Sequence, residues 1–163
     1  MNITYTLKMP TPAKAAVQSI VEVEIDNPGA RAKIEALQAT MDALPQVDIP
    51  LQHFFAKGLY ARQGIVKRGT VVVGAIKKIS HINIISSGDV SIFTEEGERR
   101  ITGAATMVAA PGTKRVAYAH EDTLWTTIMG TDETDVAVIE ETLLAKTYEE
   151  YQAYCNQLQI QES

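Results

Sequence analysis

A chain of 163 residues, 45% apolar and 21% charged, is long enough to bury a core of its own and has the balance of an ordinary folded globule. Its net charge of −5 argues against a protein that grips nucleic acid by the phosphates, which requires a basic face. No apolar run approaches the length of a membrane span, and MNITYTLKMP lacks the charged-then-apolar layout of a signal peptide, so a cytoplasmic protein or a component assembled in the cytoplasm is expected, with no membrane contact. The single cysteine, Cys155, excludes an internal disulfide and, lying in a helical pattern, reads as a packed residue.

In chain order, two strands are expected first, Ile3 to Lys8 and Val17 to Ile25, separated by Pro10-Thr11-Pro12. Asp26-Asn27-Pro28 supplies a capping side chain and an early proline, and Ile34, Leu37, Met41 and Leu44 follow at three- and four-residue steps, which predicts an amphipathic helix ending near Leu44, before Pro45. Pro45 to Leu51 is a connection. His53, Phe54 and Phe55 read as packing residues, and Tyr60 and Arg62 alternate with Leu59 and Ala61 on a strand, facing either inward or outward. From Gly69 to Met129 the chain becomes a series of short β-branched runs: Val71 to Lys77, His81 to Ser86, Val90 to Thr94, Arg99 to Thr102, Arg115 to Ala119 and Thr123 to Met129. Turns at Ser87-Gly88, Glu96-Gly97 and Pro111-Gly112 punctuate them, the pattern of an antiparallel barrel or sandwich. A helix is expected over Thr131 to Lys146, carrying Val136, Ile139 and Leu143. Thr147 with Glu150 makes a capping box for a last helix whose stripe is Tyr148, Tyr151, Cys155 and Leu158, with a frayed tail from Gln159. One domain, 1–163, is read in three parts: N-terminal strands and helix over 1–58, a β-barrel over 59–130, and C-terminal helices over 131–163.

The order of these signals from Leu59 to Gly130 resembles the cupin superfamily, whose fold is a small double-stranded β-helix. In that family a first motif, HxHxxxE, leads to a turn glycine, and a second begins PG and ends on a histidine. The stretches HFFAKGLYAR, HINIISSGDVSIFTEEG and APGTKRVAYAHEDTLWTTI are similar to cupin-like proteins of tailed phages and prophages, a group with no known activity. The resemblance implies a mostly β, cupin-like barrel with one N-terminal and two C-terminal helices. Metal-dependent cupins hold one divalent cation with three histidines and a glutamate. With Gly88 as the first turn glycine, the glutamate position falls on His81 and the paired histidine positions on Ala75 and Lys77; with Pro111-Gly112 as the second turn, its histidine falls on Arg115. Ala, Lys, His and Arg do not make a cation site. The phage-type relatives carry histidine near Lys77 and Met129, and both positions depart here. No metal and no cofactor is therefore expected. A shift of register leaves His81 with His120, helped by His53 or Asn83, as the alternative metal set, and a metal-dependent isomerase or dioxygenase as the alternative function.

If Val71, Val73, Ala75 and Lys77 share the inward face, the barrel mouth presents Lys77, His81 and Arg115, a cationic group suited to a small anionic ligand. His120, Asn83, Tyr60 and Arg62 complete the candidate ligand-binding residues. The competing arrangement pairs Arg115 with Asp89, Glu121 or Asp122 and leaves Lys77 solvated outside. The expected function is non-enzymatic: either a barrel that binds a small anion, or a structural or accessory viral protein, in the host cytoplasm or the virion, with another phage or host protein as partner. Unpaired edge strands are a hazard, so a homodimer or higher assembly is expected.

Overall fold

The computed structural model describes residues 4–8, of which only the backbone is considered, and 29–161. The strand expected over Val17 to Ile25, the helix start at Asp26-Asn27-Pro28 and the last two residues lie outside the described residues. Two five-stranded antiparallel sheets face each other. One has the order β1 (Thr4–Lys8), β4 (Thr70–Gly74), β10 (Val116–Ala119), β7 (Asp89–Thr94), β8 (Gly97–Thr102). The other runs β2 (Leu51–Ala56), β3 (Leu59–Val66), β11 (Thr123–Gly130), β6 (His81–Ser87), β9 (Ala105–Ala109). A two-stranded ribbon, β5 (Ile76–Lys77) with β12 (Leu144–Ala145), closes one corner. The helices are α1 (Gly29–Asp42), α2 (Val136–Leu143) and α3 (Tyr148–Gln161). No helix among the described residues is long and apolar enough to cross a membrane.

Helix α1 buries Ala30, Ile34, Gln38 and Met41, spaced to form one face, against Val71, Val73, Phe93 and Val116 on the outside of the first sheet. Leu44 does not extend that stripe: the helix ends at Asp42, and Leu44 closes a turn onto the Met41 carbonyl with its side chain 41% exposed.

The register of β4 differs from the expected one. Val71 and Val73 are fully buried, but beneath α1, whereas Val72 and Gly74 face the space between the sheets. The run Val71 to Lys77 is not one strand. It breaks at Ala75, and the two residues beyond, Ile76 and Lys77, leave β4 to pair with β12. That one-residue break inverts the alternation, so Lys77 points inward together with Val72 and Gly74.

Two further expectations are corrected. Phe54 and Phe55 are half exposed on edge strand β2, where Phe55 stacks on the Tyr60 ring at 5.3 Å and no layer among the described residues covers Phe54. The helix expected over Thr131 to Lys146 is confined to α2. Asp135 caps it by accepting from the Ala137 and Val138 amides, and Leu144 leaves it because its backbone bonds to β5. The capping box at α3 forms in altered shape: the Glu150 amide donates to Thr147 Oγ1 at 3.2 Å, while the Glu150 carboxylate accepts from the Lys146 amide at 2.7 Å. At the β6–β7 turn Gly88 has φ +119°, and a β-carbon there would lie 2.6 Å from Thr123 Cα, so only glycine closes this turn.

Candidate functional site

The second sheet carries three inward rungs that define the site. In the middle rung Arg62 of β3 lies opposite Thr127 of β11, and Thr127 opposite Asn83 of β6. On one side stand Gly64, Trp125 and Ile85; on the other, Tyr60, Met129 and His81. These residues share a face because β3, β6 and β11 each alternate with period two; on β3, for instance, positions 60, 62, 64 and 66 are buried and the intervening ones are not. The first sheet contributes Val72, Gly74 and Ala117, with Arg115 entering just before β10 and Lys77 from β5. Together they enclose a cavity of about 100 Å³, whose apolar end is made by Ile49, Leu51 and Val66. Gly74 leaves a gap in its wall: a β-carbon placed there would be 3.8 Å from both Lys77 Nζ and Arg115 Cγ.

Three cationic side chains thus converge on one small space, two of them buried and Arg115 half-buried. Arg62 and Lys77 are 8% and 7% exposed. Arg62 has a carboxylate within reach, Glu140 Oε1 of α2 at 3.8 Å. Lys77 Nζ donates to the Ala75 carbonyl at 3.0 Å and Arg115 Nη2 reaches His81 Nε2 at 3.5 Å, but among the described residues neither pairs with a carboxylate. The arrangement in which Arg115 pairs with Asp89, Glu121 or Asp122 does not occur. Asp89 is taken by Arg100 in a two-pronged bond of 2.9 and 2.7 Å, and Asp122 by Lys67 and the Arg68 amide. Nor is Lys77 on an outer face.

The consequences for protonation follow from burial without counter-charge. Desolvation, reinforced by Arg62, Arg115 and Lys114, holds the Lys77 ammonium well below its ordinary pKa. Desolvation also lowers Arg62, and brings Arg115 down to about 10. His81 is pushed down to about 4 by burial and by Lys77, and is therefore neutral near pH 7. Its tautomer follows from its partners: Nδ1 donates to the Ile79 carbonyl at 3.2 Å, so Nε2 is the acceptor facing Arg115. Asn83 spends its carbonyl oxygen on two donors, Trp125 Nε1 at 3.1 Å and Thr127 Oγ1 at 3.0 Å, while its Nδ2 is buried without a partner. An unmet donor beside three cations calls for an acceptor.

The remaining candidates are not all gathered here. Tyr60 is buried one rung below Arg62, with its hydroxyl bonded to His53 Nδ1 at 2.8 Å and its pKa raised by burial. His120 stands at the far end of β11, bonded to Ser91 Oγ at 2.9 Å and edge-on to Tyr118. His81 is opposite Met129 at the other end, so the length of that strand, on the order of 20 Å, separates the two histidines. Among the described residues no three His, Cys, Asp or Glu side chains come close enough to hold a metal ion. The residues gathered at the cavity do not fit a divalent cation: Arg62, Lys77 and Arg115 line it, and the one imidazole nearby already faces a guanidinium. Sequence reasoning did not single out Trp125, Thr127, Gly74 or Glu140. The first two sit at alternate positions of a predicted strand and were legible once its inward face was known; Gly74 and Glu140 depend on contacts far apart in the chain.

No family model matches the chain, and no curated protein does. Among solved structures it is similar to ectoine synthase from P. lautus, with 13% identity and a TM-score of 0.51 over 63% of this chain and 78% of that one. It is also similar to a cupin-2 domain protein from Shewanella frigidimarina, with 11% identity and a TM-score of 0.43 over 58% and 92%. The protein has a cupin-like β-barrel fold, with three helices among its described residues added to the antiparallel sheets. At such identities the likeness reaches the fold and stops there.

Proposed function

We propose that this chain is a binding module that holds a small anion, a carboxylate or an oxyanion of similar size, inside its barrel. One observation carries the reading: Arg62 and Lys77 are buried and Arg115 is half-buried around one cavity, Glu140 is the one carboxylate paired with them among the described residues, and the buried Asn83 Nδ2 lacks an acceptor. An anion in that position would satisfy the donor and restore charge to Lys77, recovering part of the cost of desolvating these cations. Thermal unfolding with acetate, propionate, pyruvate and inorganic phosphate tests it. At least one of them should raise Tm in proportion to the logarithm of its concentration, and Arg62→Gln with Arg115→Gln should abolish the shift. No stabilisation by any of the four would end the proposal.

A second reading, that the barrel also serves as a component of an assembly, is favoured by the outward face of the second sheet. Phe54, Ile82 and Val108 stand exposed there in a single row across the strands. The wording of HFFAKGLYAR and its neighbours suggests a phage setting for such a role, in the host cytoplasm or the virion. Light scattering on the purified protein tests the assembly, and a strict monomer would remove it.

A further inference from the structure

We propose that Lys77 captures a short-chain 2-oxo acid as a covalent imine, with the acid's carboxylate held by Arg62 and Arg115. The inference rests on the anion-binding reading above and adds what lies next to the carboxylate. The first support is charge placement. Lys77 is flanked by Arg62 and Arg115, with Lys114 and the neutral His81 behind, while Glu140 sits against Arg62. No carboxylate on these elements pairs with Lys77, and burial disfavours its ammonium, which raises the share of free amine, the form in which lysine is a nucleophile. Geometry adds a second support. The amine is tethered by one N–H to the Ala75 carbonyl at 3.0 Å and lines the cavity together with Gly74 and Arg115. In a 2-oxo acid the carbonyl carbon is bonded directly to the carboxylate carbon, so fixing the carboxylate on the guanidiniums delivers that carbon to Nζ. The third support is the unmet donor of Asn83, which suits an oxygen that gains negative charge as the bond forms.

The step balances without an oxidant or reductant. The Nζ lone pair forms a bond to C2 of the acid while the carbonyl π pair moves to oxygen. A proton passes from nitrogen to that oxygen to give the carbinolamine, and loss of one water leaves a carbon–nitrogen double bond. The cavity of about 100 Å³ admits a short acid, whose alkyl end meets Val72, Leu51 and Trp125.

Reductive trapping decides it. Full-length protein is incubated with pyruvate and then with borohydride, a hydride donor that converts an imine to a stable secondary amine, and the modified lysine is located by peptide mass spectrometry. The expected result is a single adduct on Lys77, suppressed by an excess of lactate or propionate, which carry the carboxylate but no ketone. The adduct should be lost in Lys77→Arg, whose folding is checked by thermal unfolding, and reduced at least about tenfold in Arg115→Gln. If pyruvate and lactate both stabilise the protein yet Lys77 emerges unmodified, the imine is overturned and the anion cavity stands. Adducts scattered over surface lysines and unchanged in Lys77→Arg overturn it equally. If no acid stabilises and none is trapped, the cavity reading falls with it.

Discussion

Burying an ammonium beside two guanidiniums costs free energy that an apolar side chain of similar length does not. Lys77→Met should therefore stabilise the ligand-free protein, by about 1–2 kcal/mol, while weakening the response to anions. The pH dependence has a definite sign. The Lys77 pKa is lowered by folding, so the unfolded chain holds more protons between the lowered value and about 10.5. The penalty is fully present below that window and vanishes as pH rises through it, so the gap in Tm between Lys77→Met and the natural chain should narrow toward pH 10. Denaturant titrations at pH 7 and pH 10 check this; a gap that widens with pH contradicts the burial of an unpaired charge. His81 acts in the same sense at the acid end. Its pKa falls from 6.5 to about 4 on folding, so stability should decline as pH drops from about 6.5 toward 4, where the unfolded chain takes up a proton that the folded chain refuses. His81→Asn should flatten that slope, and thermal unfolding across the interval measures it.

At the scale of elements, α2 and β12 control the site from outside the barrel. Leu144 pairs with Lys77, which holds β5 away from β4 and aims the lysine inward, and Glu140 on the preceding turn supplies the nearest carboxylate. Glu140→Gln leaves Arg62 without it. The ligand-free protein should lose about 1–2 kcal/mol, yet small carboxylates should bind more tightly because an internal competitor has gone. Paired denaturation and calorimetry check both halves, and an equal loss in stability and in affinity would show that Glu140 merely holds α2 in place. These two elements also mark how far the sequence could be read. Most of the strands, the turn at Gly88 and the helices α1 and α3 were legible, because alternation, turn glycines and helical stripes are local signals, whereas the edge strands Leu51–Ala56 and Ala105–Ala109 were not read as strands. The break at Ala75 was not. Nothing in TVVVGAIK announces it, since its cause is pairing with residues 144 and 145, nearly seventy positions away. That break turned an expected inward pair, Val71 and Val73, into Val72 and Gly74 while leaving Ala75 packed on Tyr60 and Met129 and Lys77 in place, so the cationic cup was anticipated on a wrong register. Arg62 could be placed on a strand but not on a face, and His120 could not be separated from His81 until the pairing of β11 was known.

The molecule presents an uncharged surface that no element among the described residues covers. Across all five strands of the second sheet, Phe54, Ala61, Ile128, Ile82 and Val108 lie side by side on the outer face, with Val108 79% exposed. The neighbouring row, Gln52, Gln63, Thr126, Ile84 and Thr106, carries no charge either. Five strands at about 4.8 Å by a strand of about 26 Å gives a face of roughly 600 Å², close to what one partner contributes to a standard interface. A patch of that size without charges is complementary to itself, and a two-fold axis through β11 would bring Ile82 and Val108 of one copy toward those of the other. The expected state is therefore a homodimer joined through this sheet. Val108→Glu, which places a carboxylate within the contact, should shift the protein to monomer in light scattering at micromolar concentration with Tm in the presence of anions little changed, because the residue points away from the cavity. A natural chain that runs as a monomer, or a dimer indifferent to Val108→Glu and to Ile82→Lys alike, would mean that this face is turned to water and that the barrel acts alone.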